Sequence, residues 1–134
     1  MISHHEALIY AMVLVSAADR EMPDSELEAM GDMVAHLPVF RDFDRRKVTK
    51  VSAACAKLLA DENGLEKAFD QITAALPVKL RETAYALACD VAAADGRVSP
   101  EEARVLQMIR DRLQIGQLPA VAIERGARAR FLSL

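Results

Sequence analysis

The stretch Ala93-Ala94-Asp95-Gly96-Arg97-Val98-Ser99-Pro100-Glu101-Glu102 decides the reading of this chain. It has the form of an apolar helix ending, a short loop, and the sharpest helix start in the sequence. Ser99 suits the N-cap, Pro100 the first turn, and Glu102 can reach back to complete a capping box. The same plan stands 76 positions earlier as Ala17-Ala18-Asp19-Arg20-Glu21-Met22-Pro23-Asp24-Ser25-Glu26. With Asp19 laid over Asp95, Val15 meets Val91, Ala17 meets Ala93, Ala18 meets Ala94 and Glu26 meets Glu102. Met22, Met30 and Met33 match Val98, Leu106 and Ile109 in kind. Identities are few, but the order of parts is shared: apolar helix, Ala-Ala-Asp, short loop, acidic helix start. The copies span about residues 7–34 and 83–110.

Outward from these two segments the chain reads as helix after helix. The first helix is expected from about Ser3 to Ala18 and the second from about Pro23 to His36, ended by Pro38 because a residue before proline avoids the helical region. Asp44 can cap a third that runs to about Ala60. Asn63 and Glu66 have capping-box spacing and open a fourth, which stops before Pro77. A fifth runs from about Lys79 to Ala94, a sixth from Ser99 to about Leu113, and a seventh from Leu118 to Arg130 after Gly116. Leu27, Met30, Met33, Val34 and Leu37 share one helical face, as do Val48, Val51, Ala54, Cys55, Leu58 and Leu59. No strand pattern of useful length and no linker appears. The expectation is an all-α fold, about seven helices in one domain over residues 1–134, built as two pseudo-repeated helix-loop-helix halves with a C-terminal helix at about 118–130.

Composition agrees. Of 134 residues, 52% are hydrophobic and 28% charged, which excludes intrinsic disorder, and alanine, the best helix former, is the most frequent. A net charge of −3 disfavours a nucleic-acid partner, which calls for a basic excess. The apolar run Ala7–Ala18, broken only by Ser16, is shorter than the about 20 residues that span a bilayer. Its recurrence at 83–94 marks it as a buried helix, not a signal-peptide core, and no membrane span is expected. Cys55 and Cys89 are far apart among alanines, so both read as small buried hydrophobes in a reducing, cytoplasmic setting.

The repeated loop carries the leading candidate chemistry. Asp19 and Asp95 fall at helix C-termini, where the dipole is already negative and a nearby cation would relieve the repulsion. Each loop then presents Glu26 or Glu102 in the first turn of the next helix. Two carboxylates flanking a short loop, with loop carbonyls, make an oxygen-rich set suited to Ca²⁺ or Mg²⁺. The candidate metal residues are therefore Asp19, Glu26, Asp95 and Glu102. The same groups also have structural uses: Glu102 in a capping box, Asp95-Gly96 as a turn pair, Asp19 bonded to its own loop. An EF-hand is excluded, because that motif needs a twelve-residue loop with ligands at alternate positions.

Other candidates are weaker. Adjacent His4 and His5 point about 100° apart on a helix and make a poor chelate, so they are expected at an exposed N-terminus. Asp90 lies in an otherwise apolar helix and needs a partner, either an arginine or a site shared with Asp95. Arg125, Arg128 and Arg130 could meet an acidic partner or anionic lipid, or form a solvated face. No nucleophile–base signature or phosphate-binding glycine loop is present, so no catalytic residue and no enzymatic activity is expected.

The Ala-Ala-Asp-Gly-Arg-Val-Ser-Pro-Glu-Glu segment and its degenerate copy, over roughly residues 4–113, resemble the TerB family linked to tellurite resistance. The resemblance implies an all-helical fold of two pseudo-related halves and a divalent-metal or acidic interaction site at Asp19, Glu26, Asp95 and Glu102. It also implies a bacterial stress-response setting, a protein partner at the inner membrane face, and no enzymatic activity. Arg20 departs from the glycine of the second copy. The alternative is a metal-independent protein–protein adaptor.

Overall fold

In the computed structural model, which describes residues 1–18 and 23–134, seven α-helices follow in order. They are α1 (His4–Ser16), α2 (Asp24–His36), α3 (Val48–Leu59), α4 (Gly64–Ala75), α5 (Arg81–Ala93), α6 (Pro100–Arg112) and α7 (Gln117–Arg130). Single 3₁₀ turns stand at Pro38–Phe40, Arg45–Lys47 and Val78–Leu80. No strand occurs among the described residues. The fold is all-α, as the periodicity requires.

The helix ends follow from local chemistry. Ser3 caps α1 through a complete capping box with Glu6, a start signal that the sequence reading passed over. Leu37 takes an extended conformation before Pro38 and ends α2. Asp44 caps as expected, but its carboxylate accepts from the Arg46 amide and so starts the 3₁₀ turn that feeds α3, not α3 itself. Asn63 and Glu66 do not form the expected capping box. Asn63 sits in the left-handed region (φ 59°) with no side-chain cap, and Glu66 turns outward to Arg112. The reason is the tight reversal between α3 and α4: a Cβ on Gly64 would lie 2.2 Å from the Leu58 carbonyl oxygen. A side chain at position 64 would not fit, and the chain enters α4 through the left-handed Asn63.

α1 is buried on every side from Ala7 to Ser16, and α5 is nearly so. α1 has no polar face and must be surrounded, and α5 keeps only a narrow outer strip with Glu82 exposed and Asp90 half-buried. They pack most extensively on each other. α3 and α4 cover another side of α1, and α7 covers α5. The halves cross over: α2 also packs on α5, and α6 on α1. Both cysteines are buried free thiols, with burial raising each to about 12, so neither is reactive near neutral pH. Two expected core positions are not core. Leu27 is 43% exposed and Ala54 is exposed, because α2 and α3 each bury a narrower stripe than the sequence face suggested. His5 is not a free surface group either: its ring stacks on Phe40, and Nε2 lies 2.8 Å from the Val39 carbonyl.

Two glycines make the packing testable. Gly64→Ala drives a methyl into backbone and should destabilise by about 1–3 kcal/mol. Gly31→Ala, exposed in mid-α2 with nothing within 4 Å of the new methyl, should instead stabilise by about 0.5–1 kcal/mol. Urea unfolding of both variants checks the pair, and equal effects would contradict the tight α3–α4 reversal.

Candidate functional site

The crossing of the halves brings the two repeat-related glutamates together. Glu26, in the first turn of α2, is 1% exposed, and Glu102, in the first turn of α6, is 3% exposed. Burying one carboxylate is unfavourable unless it is hydrogen-bonded, and burying two side by side is more so.

Each glutamate is held differently, and the sequence says why. Glu102 forms the expected capping box: its amide donates to Ser99 Oγ (3.1 Å) and its Oε1 accepts from the Ser99 amide (3.0 Å). At the matching N-cap of α2 stands Pro23, which has no N–H to offer. The Glu26 carboxylate therefore turns inward, where Oε1 accepts from the fully buried Ser16 hydroxyl at 3.0 Å. The counterpart of Ser16 in the second copy is Ala92, so Glu102 gains no such donor. Its Oε2 is buried and accepts from no amide, hydroxyl or cationic group among the described residues, so the donor open to it is the adjoining Glu26 carboxyl when that carries its proton.

The electrostatics follow. Desolvation is the largest influence on Glu26 and raises it far above the usual carboxylate range, to about 8. The neighbouring Glu102 adds to the rise, Ser16 opposes it, and Asp95 adds a smaller like-charge contribution. A proton on Glu26 removes one of two adjacent buried charges, and a bound cation would do the same.

Asp95 lies in the exposed α5–α6 loop, with Oδ1 accepting from the Arg97 amide at 2.9 Å. It is near enough to weigh on Glu26 but is occupied in its own turn. Asp19 lies outside the described residues, as does Met22. Among the described residues no set of three or more His, Cys, Asp or Glu side chains is grouped to hold a metal ion. The described part of the site is thus two buried carboxyl groups and one serine hydroxyl, oxygen groups of the hard kind that Ca²⁺ and Mg²⁺ take. Asp90 is settled as a structural group, forming an ion pair with Arg130 of α7. The residue that sequence reasoning missed is Ser16. Its signal was present, as the single polar interruption of an apolar helix.

With fold and site in place, the chain can be set beside known proteins. The family TerB, described as tellurite resistance protein TerB, matches residues 5–124. The chain belongs to the TerB family. No curated protein and no solved structure matches it. No helix among the described residues is long and apolar enough to cross a membrane.

Glu26 gives a pH test. Unfolded, it ionises near the ordinary value of 4.5, whereas folded it holds its proton up to about 8. The native state therefore binds more protons than the unfolded state across that window. This contribution to stability is full below the lower value and is lost as pH rises through the upper one. In chelator, the stability of Glu26→Gln relative to wild type should rise steadily between about pH 4.5 and 8 and then level off. Parallel pH curves for the two proteins, from denaturant unfolding, would show that Glu26 titrates as an ordinary carboxyl.

Proposed function

We propose that this chain is a non-enzymatic TerB module whose paired acidic elements hold a divalent cation, Ca²⁺ or Mg²⁺ by donor chemistry, and present the loaded surface to a protein partner. The setting is a cytoplasmic stress response of the tellurite-resistance kind, inherited from the family. The supporting observation is the meeting of Glu26 and Glu102, two buried carboxyl groups with no cationic side chain between them among the described residues, so that only a proton or a bound cation relieves their repulsion. Glu26, Glu102 and Asp95, joined by Asp19, are the groups that would hold the ion. Its chemistry there would be charge neutralisation between two buried carboxylates. Because a proton and a cation compete for Glu26, affinity should rise with pH and binding should release a proton.

One observation favours the second reading, a metal-independent adaptor. Asp95 and Glu102 both have local hydrogen-bonding work, in an Asx turn and a capping box. In that case the exposed acidic loop docks the partner directly.

Thermal unfolding of chelator-stripped protein titrated with Ca²⁺, Mg²⁺, Mn²⁺ and Zn²⁺ separates the two. At 100 times its dissociation constant a bound ion adds about 2.7 kcal/mol. The expected result is such a shift in wild type, its loss in Glu26→Gln/Glu102→Gln, and a weakened shift in Asp19→Asn/Asp95→Asn. No shift with any ion, together with partner binding that survives chelator, would leave the adaptor reading in place.

A further inference from the structure

Away from the glutamates, α6 and α7 form a helical hairpin in which both helices pack on α5 and hardly on each other. Between them lies an open cleft of about 430 Å³, with α5 as its floor. That is within the about 300–1,000 Å³ range of small-molecule sites. We propose that this cleft binds a single-chain amphiphile with an anionic head group, such as a medium-chain carboxylate.

The first ground is the distribution of polarity along the cleft. One end is apolar, made by Val98, Ala103 and Leu106 on one wall and Phe131 and Leu132 on the other. From Ala103 to Arg110 the α6 wall rises about 10 Å. At the Arg110 end three polar groups converge. The Tyr85 hydroxyl donates to Glu124 Oε2 (2.5 Å), and Arg110 Nη1 lies 3.5 Å from the same oxygen. Arg128 lines the same cleft one turn along α7 from Glu124 on the side of Phe131, so its guanidinium stem rises between the polar cluster and the apolar end. None of the ion pairs among the described residues uses Arg128. Glu124 therefore answers one of two guanidiniums, and the cleft keeps a net positive charge. Guanidinium N–H groups suit a carboxylate by geometry as well as charge.

The second ground is the comparison of the two halves. At the positions of Tyr85, Cys89, Leu106 and Arg110, the first copy has Ile9, Val13, Met30 and Val34. All four of those are apolar and at most 3% exposed. In the second copy Tyr85 and Arg110 instead meet Glu124 of α7, beside the cleft. The contact faces differ in the same sense. α2 buries Glu26, Met30 and Val34, whereas α6 buries Glu102, Val105 and Ile109. That small rotation of α6 leaves Leu106 and Arg110 half-buried at the cleft and not sealed in the core. The groups that converge stand on three helices, so they are held in place before any ligand arrives.

The test is calorimetric titration with dodecanoate below its micelle concentration, with dodecyltrimethylammonium as the same tail under the opposite charge. The chain has no Trp and two Tyr, so in wild type and Arg128→Glu the joint fluorescence of Tyr10 and Tyr85 gives a parallel readout. One-to-one binding of dodecanoate is expected, at least tenfold tighter than the cationic amphiphile. Arg128→Glu should weaken it at least tenfold. Ala103→Trp should abolish it by filling the cleft. Both positions are exposed, so neither variant endangers folding, and far-UV circular dichroism checks this. Equal binding of both amphiphiles, or dodecanoate binding indifferent to both variants, would overturn the proposal. So would a concentration-dependent dimer that Ala103→Trp abolishes, which would assign the cleft to a second copy of the chain.

Discussion

α1 has no polar face and α5 only a narrow outer strip at Glu82 and Asp90, and the rest of the molecule is the consequence. A helix that is apolar all round is stable only when every side is covered. Each half supplies one such buried helix, and each helix draws its cover from both halves. Packing α1 against α5 removes the longest apolar stripe of each from water. The remaining sides are closed by α3 and α4 on one helix and α7 on the other, with the second helix of each half crossing to the opposite copy. The crossing fixes where the starts of α2 and α6 lie. Those starts carry Glu26 and Glu102, so the meeting of two buried carboxylates follows from covering two apolar helices.

Much of this could be read in the sequence, because it rests on short-range rules. The order and number of helices follow from apolar spacing, prolines and caps. Ser99-Pro100-Glu101-Glu102 places the start of α6 to the residue, and the capping box forms as its spacing requires. Where the reading failed, tertiary contacts had overruled local chemistry. Asn63 and Glu66 have capping-box spacing, but the close approach of Gly64 to the Leu58 carbonyl sets another backbone path, and Arg112, distant in sequence, takes the glutamate. Leu27 lies on the correct helical face, yet it falls outside the narrow stripe that α2 buries.

For the candidate site, what was legible was the pairing of positions, not the contact between them. The repeat put Glu26 and Glu102 in register, but register alone does not say that two loops converge. Only the packing of each half on the other does. Nor could the depth of burial be read, since a glutamate in a helix's first turn is ordinarily a solvated capping group. Pro23 held the clue in hindsight: a residue without an N–H leaves its glutamate free to turn inward, toward Ser16.

The two halves have diverged in ways that bear differently on their two candidate sites. Around the glutamates the divergence is complementary. Ser16 serves Glu26 where the second copy has Ala92, and Ser99 serves Glu102 where the first copy has Pro23. Each substitution removes one donor from one carboxylate while the other keeps its own, so the site draws on both copies and neither half holds it alone. In the cleft between α6 and α7 the divergence runs one way only. The first copy is sealed with Ile9, Val13, Met30 and Val34, while the second opens and gains Tyr85 and Arg110. Tyr85 and Arg110 tie α7 to α5 and α6 through Glu124, but that contact leaves Arg128 without an ion pair among the described residues and the cleft beside it open. A ligand with an apolar body and a negative end answers both.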